Sequence, residues 1–207
     1  LEANRCLQCK HQPCVSGCPV GVNIPAFIAQ VKNEDFDGAL ATILHDNALP
    51  SVCGRVCPQE KQCEAQCVYA KSNQSIAIGY LERYVGDHGH VVQQVSKKTN
   101  GKIAVVGGGP AGISCALVCA QHDMDVTIFD TWDKLGGVLY YGIPSFRLPY
   151  GVVDKEIKRL LELGVTFEKN MIIGVSMPLD DLFKEGYQAI FLATGAGLPS
   201  LPPLENS

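Results

Sequence analysis

A chain of 207 residues can bury one or two cores, and 46% hydrophobic against 18% charged residues is the balance of an ordinary soluble globular protein. A net charge of −4 with no run of Lys and Arg argues against a nucleic-acid surface, and no stretch is apolar for long enough to span a bilayer. The polar, Cys-rich start is unlike a secretory signal, so a cytoplasmic location is expected; because Leu1 is not preceded by Met, a trimmed start is expected too.

The chain begins with a dense cysteine run, C-x2-C-x4-C-x3-C-P, formed by Cys6, Cys9, Cys14 and Cys18. Residues 24–47 then carry apolar side chains at three- and four-residue intervals, which predicts two amphipathic helices with Pro25 in the first turn of the earlier one. A second run supplies Cys53, Cys57, Cys63 and Cys67, again with a Pro after one of them. The stretch SIAIGYLERYVGDHG predicts a further helix with Ser75 as its cap, and no strand is expected before residue 100. At SKKTNG the character changes, so a boundary is placed there, dividing a domain of residues 1–99 from one of residues 100–207.

Ten cysteines are too many for a reducing compartment unless most serve as ligands, and eight of them lie in the first 67 residues. Disulfides fit poorly beside a nucleotide-type second half. Structural zinc favours two C-x2-C pairs closing one tetrahedral site, whereas only Cys6 and Cys9 make such a pair. Iron–sulfur cubes need three ligands from one loop and a remote fourth, often a Cys before Pro that serves the other cluster. That crossing assigns Cys6, Cys9, Cys14 and Cys67 to one [4Fe–4S] cube and Cys18, Cys57 and Cys63 to a second. The second cube then lacks a ligand, and spacing alone points to Cys53.

The second half alternates strands, expected at 103–106, 126–129, 165–168 and 189–193, with helices at 110–122, 152–163 and 179–184. This order predicts a parallel sheet with crossover helices. The first strand runs into Gly107, Gly108, Gly109, Pro110, Ala111 and Gly112, a G-x-G-x-x-G turn opening a helix, where backbone N–H groups can meet a pyrophosphate. Asp130 ends the next strand, in position to accept from ribose hydroxyls. The motif alone does not separate FAD from NAD, but the following Gly136-Gly137 pair favours a flavin. Cys115 and Cys119, four apart on one helix face, read as core packing. His88 and His90 read as a polar interdomain turn, and Tyr140 and Tyr141 as a loop near the flavin.

Together the two cysteine runs, GGGPAG, GGVLYYGIPSFRLP and LATGA resemble the small (beta) subunit family of NADPH-dependent glutamate synthase. The same module occurs in the N-terminal half of dihydropyrimidine dehydrogenase and in the larger subunit of an electron-bifurcating ferredoxin:NADP transhydrogenase. The resemblance covers the chain to about residue 199. It implies an α-helical domain with two [4Fe–4S] clusters followed by an α/β Rossmann-like FAD domain. It also implies an oxygen ligand for the second cube, from the helix after the last cysteine, and IAIGYLE puts Glu82 there rather than Cys53. By the same resemblance residues 107–111, Asp130 and residues to Val138 hold FAD, Arg147 sits on its flavin side and Ile173 meets the adenine through its backbone. Asp130 replaces the family's usual Glu, and the tail LPSLPPLENS departs from the family before its NADPH-binding domain; a fragment without hydride uptake from NADPH is therefore expected.

The function expected is an electron-transfer oxidoreductase module, carrying electrons from NADPH through FAD and the two clusters to a large catalytic subunit or domain, with no catalytic acid or base in this chain. The rival is a non-enzymatic, metal-stabilised module that binds a nucleotide and a protein partner.

Overall fold

In the computed structural model residues 1–92 and 94–197 are described; the divergent tail at 198–207 lies outside the described residues. The first half is helical. A 3-10 turn (Glu2–Arg5) leads to α1 (Pro13–Ser16), α2 (Ile24–Lys32), α3 (Phe36–Leu44), α4 (Pro50–Val56), 3-10 turns at Gln59–Lys61 and Val68–Ser72, and α5 (Ile78–His88). Helix α2 starts where the Asn23 side chain accepts from Ala26 N–H and Pro25 fills the first turn; α3 starts where Asp35 accepts from Gly38 N–H. Their apolar faces bring Phe27, Ile28, Leu40 and Ile43 together with Ile78 and Val85 of α5 in one core. Each such side chain contributes about 1.5–3 kcal/mol by leaving water.

Helix α5 corrects the expected cap. Its N-cap is Ala77, while Ser75 Oγ donates to Glu64 O at 2.9 Å. The free N–H groups of its first turn find carboxylates from far along the chain instead: Ala77 N–H donates to Glu2 at 2.9 Å and Gly79 N–H to Glu64 at 3.0 Å. Both acceptors sit beside the cysteine runs, so α5 is tied to the segments that carry the thiols.

The second half contains β1 (Lys102–Val106), α6 (Pro110–Gln121), β2 (Asp125–Phe129), α7 (Val138–Tyr141), α8 (Tyr150–Glu162), β3 (Thr166–Glu168), α9 (Leu179–Lys184) and β4 (Ala189–Leu192). The strands form a parallel sheet of order β3-β2-β1-β4, with Val105 of β1 registered between Ile128 and Phe191. The predicted α/β alternation is present. Helix α7 replaces the loop expected around Tyr140 and Tyr141. With β1 central, the C-terminal ends of β1, β2 and β4 open on one edge, where parallel sheets bind ligands.

The halves are joined by more than the peptide chain. Leu49 and Val52 share a core with Ile113, Leu117, Leu160 and other residues of the sheet half. Over this apolar contact, α8 reaches back with three charged residues. Glu156 accepts from Ser51 N–H at 2.9 Å and pairs with Arg159; Arg159 also donates to Ala48 O at 2.9 Å; Lys155 donates to Gly86 O and Asp87 O, each at 2.8 Å. Glu156 is 2% exposed, and burial pushes its carboxyl up against the opposing pull of Arg159 and the Ser51 N–H.

Candidate redox-cofactor sites

Cys6, Cys9, Cys14 and Cys67 line a single cavity whose other walls include Leu7, Pro13, Ile24, Pro25 and Ile28. The left-handed backbone at Gln8 (φ 51°) and Gln12 (φ 43°) bends the first run so that its thiols face α2. Gln8 Nε2 anchors that bend by donating to Pro25 O at 3.0 Å, and it lies 3.5 Å from Cys6 Sγ. Burial pushes the Cys14 thiol up to about 11, with the nearby Cys6 and Cys67 adding to it. Four thiols from two separate runs in one apolar hollow form a donor set that suits an iron–sulfur cube. The ten cysteines are unbridged, and among the described residues no three Cys, His, Asp or Glu side chains converge around one ion. Thiolates on a cube bind separate irons and stand further apart than ligands of one zinc.

The second group is mixed in chemistry. Cys57 closes α4, Cys63 is buried in the turn beyond it, and Cys18 and Glu82 are near enough to act on Cys63 electrostatically. Burial, with Glu64, Glu82 and Cys18 adding to it, pushes Cys63 up to about 12. Glu82 is itself pushed up to about 8 by burial, opposed by the Asn47 amide and reinforced by Cys57. Cys57 is drawn down to about 7 by the neighbouring Cys53 thiol, and Cys53 is correspondingly pushed up. The expected ligands Cys18, Cys57, Cys63 and Glu82 are therefore neighbours, and Cys53 stands among them as a thiol. Asn47 is a polar residue of this group that the sequence reading missed: its Nδ2 donates to Glu82 Oε1 at 2.8 Å.

The third feature is a cleft of about 760 Å³ at the C-terminal edge of the sheet, within the usual range for a small-molecule or cofactor site. Of the residues singled out in the sequence, Gly107, Gly109, Pro110, Ala111, Asp130, Gly137, Val138 and Ile173 line it, whereas Gly108, Gly112 and Gly136 do not. Two glycines are required by close approach. A Cβ on Gly107 (φ +106°) would lie 2.2 Å from Ala193 O, and one on Gly112 would lie 1.9 Å from Gly107 O. The loop thus presents bare backbone, and the start of the 12-residue α6 faces the cleft beside it, an arrangement that fits a pyrophosphate. Asp130 is buried, and its carboxylate accepts from Gly108 N–H and, at 2.9 Å, from Trp132 N–H, so it also braces the loop. Gly136 N–H donates to Gly108 O at 2.7 Å, holding the second glycine pair under the first. Arg147 is exposed and does not line the cleft. Trp132 and Met171 line it without having been singled out, and Thr194 and Gly195 line it as part of the LATGA stretch.

Other candidates take quiet places. Cys115 and Cys119 lie 4.0 Å apart, Sγ to Sγ, and both pack against the sheet-half core. His88 ends α5 against Tyr84, and His90 N–H donates to Asp37. Tyr141 stacks on Trp132 and Tyr140 on Tyr150, beside the cleft.

A helical half gathering thiols and a parallel-sheet half with a glycine-lined cleft define a protein built to hold redox cofactors. The chain belongs to the pyridine nucleotide-disulphide oxidoreductase family, whose model matches residues 101–207. Residues 1–94 match the model described as dihydropyrimidine dehydrogenase domain II, 4Fe-4S cluster. The NAD-dependent dihydropyrimidine dehydrogenase subunit PreT of Escherichia coli O157:H7 is 40% identical over 205 residues, covering 96% of this chain and 50% of that protein. The glutamate synthase [NADPH] small chain of Escherichia coli K12 is 35% identical over 211 residues, covering 99% of this chain and 44% of the relative. The corresponding chain of Azospirillum brasilense is 34% identical over 200 residues, covering 94% and 41%. The resemblance to the glutamate synthase small-subunit family is borne out by these relatives. The chain spans about half the length of the curated relatives it matches. Among the described residues no helix is long and apolar enough to cross a membrane.

Proposed function

We propose that this chain is an electron-transfer module of a pyridine-nucleotide oxidoreductase, holding FAD and two [4Fe–4S] clusters and delivering electrons to a large catalytic subunit or domain. It divides at residues 99 and 100 into a cluster-binding and a Rossmann-like FAD-binding domain. The relatives' names include both NAD and NADPH, and the resemblance to the small subunit of NADPH-dependent glutamate synthase favours NADPH. When bound, FAD accepts a hydride and gives up its electrons singly, and each cluster carries one.

The residues' own tasks are to bind and to insulate. Cys6, Cys9, Cys14 and Cys67 would hold one cluster among apolar walls that exclude water. Cys18, Cys57, Cys63 and Glu82 would hold the other. Gly107, Gly108, Gly109, Pro110, Ala111 and Gly112 would cradle the FAD pyrophosphate, with Gly136, Gly137 and Val138 continuing the contact. Asp130 would keep the cradle in shape while offering its remaining lone pairs to the ribose, and Ile173 would lie by the adenine. Arg147 would reach the flavin only by swinging in from its exposed position. The parallel order β3-β2-β1-β4 supports the dinucleotide-binding assignment.

One observation carries this reading: four cysteines from two distant runs line one apolar cavity while the remaining expected ligands gather elsewhere. Protein purified without oxygen should contain about eight iron and eight acid-labile sulfide per chain, from two four-iron clusters, and should release FAD. One or two zinc ions with no sulfide would support the rival interaction module instead.

A further inference from the structure

The segment between α3 and α4 does more than connect them. Asn47 is 7% exposed, and all its polar capacity is directed inward. Its Nδ2 donates to Glu82 Oε1 at 2.8 Å; its Oδ1 accepts from Leu49 N–H at 3.0 Å and lies 3.5 Å from Cys53 Sγ, whose S–H donates to it. The Leu49 bond fixes the amide's orientation, because a carbonyl oxygen must face that N–H, so the NH2 must face Glu82. A single rigid amide thus contacts both side chains able to complete the second thiolate site.

We propose that Asn47 is the positioning residue that decides between them: it holds Glu82 as the fourth ligand of the second cluster and keeps the Cys53 sulfur engaged on its own carbonyl oxygen. This rests on the reading of Glu82 as a ligand given above. The bond to Oε1 fixes the carboxylate's torsion, leaving Oε2 for the cluster. The amide oxygen accepts a hydrogen bond from the Cys53 S–H, and a thiol so engaged is not a ligand. Removing the amide frees both. Cys53 is then the softer donor for iron and displaces the carboxylate: its thiolate forms the new bond, its proton passes to solvent, and Glu82 is released as the free carboxylate.

The test uses the cluster-loaded chain and reads each cluster by EPR, with iron and sulfide analysis. Asn47→Ala should keep about eight iron while changing the second cluster's spectrum and midpoint potential, leaving the first untouched. Adding Cys53→Ala to Asn47→Ala should return the spectrum towards that of the unmutated chain. Asn47→Asp keeps the acceptor for Leu49 N–H and the side-chain volume but repels Glu82; it should also change the second cluster's spectrum, and it serves if the alanine variant does not fold. An unchanged spectrum in Asn47→Ala or Asn47→Asp, while Glu82→Ala alters it, overturns the role of Asn47 and leaves Glu82 as ligand. A change in Asn47→Ala that persists after Cys53 is also removed overturns the choice between two ligands. If Cys53→Ala alone alters the spectrum and Glu82→Ala does not, the ligand reading itself fails and this inference with it.

Discussion

The two thiol sites of the helical half lie on one short chain yet are built differently. The first, around Cys6, Cys9, Cys14 and Cys67, is made from turns and the four-residue α1 folded against the apolar face of α2. The second, around Cys18, Cys57, Cys63 and Glu82, hangs on α4 and α5, whose crossing is close enough that Cβ atoms on Gly54 or Gly86 would strike the backbone of the other helix, at Arg83 and Ser51 respectively. Arg55 reinforces that crossing through a two-pronged pair with Asp87, at 2.7 and 2.8 Å. The same two helices are then gripped by Lys155, Glu156 and Arg159 of α8. The first site therefore rests on short turns with few anchors, whereas the second is held by two closely crossed helices and is the one tied to the sheet half. Order in the first is expected to depend more on its ligand than order in the second.

Stripping the clusters should expose this difference most strongly. Metal binding supplies folding energy where no preformed scaffold exists. Without it, amides of residues 1–18 should lose protection from hydrogen exchange by about ten-fold or more, whereas α2, α3, α4 and α5 should keep theirs. Equal loss in α4 and residues 1–18 would erase the distinction. Next in size is the effect of single ligands. Cys14→Ala should lower the iron content from about eight to about four per chain and loosen the first run, and Cys63→Ala should do the same to the other cluster with the fold around α4 and α5 intact.

How far these sites could be read in advance follows from the same contrast. The first is legible because its information is local: spacing in two cysteine runs, and a Pro that turns the chain. The strands around Gly107 were legible too, since alternating buried strand and helix patterns need no distant partner to be recognised. Helix α4 was not. Its sequence PSVCGRV carries a glycine that disfavours helix by about 1 kcal/mol, and its reason for being helical is the close contact with α5, a tertiary fact. The cap of α5 failed in the same way, because Glu2 and Glu64 are remote in sequence and outcompete the nearby Ser75. Asn47 carries no motif at all; only its three partners reveal it.

A smaller expected effect tests the grip of α8. Glu156→Ala removes the acceptor of the Ser51 N–H and leaves Arg159 facing Ala48 O without its counter-charge. Breaking a buried pair in this way costs about 3–5 kcal/mol, readable as a shifted denaturation midpoint. The second cluster's EPR signal should broaden with it while the first stays sharp. If both signals move together, α8 supports the whole helical half and not the α4–α5 pair in particular.

The smallest effect is expected at the two cysteines of the sheet half, Cys115 and Cys119, which neither site uses. Cys115→Ala removes a half-buried sulfur from the face of α6 that packs on the sheet-half core. The lost packing is of order 1 kcal/mol, but alanine is the better helix former by about 0.6 kcal/mol in the same turn, so the two terms nearly cancel. The net change in the denaturation midpoint should fall within about 1 kcal/mol of zero, with iron, sulfide and flavin content unaltered. That near-silence separates cysteine as ligand from cysteine as filler within one chain. A loss of iron on changing Cys115 would place it with the ligands, and the division of thiols between two sites would have to be redrawn around it.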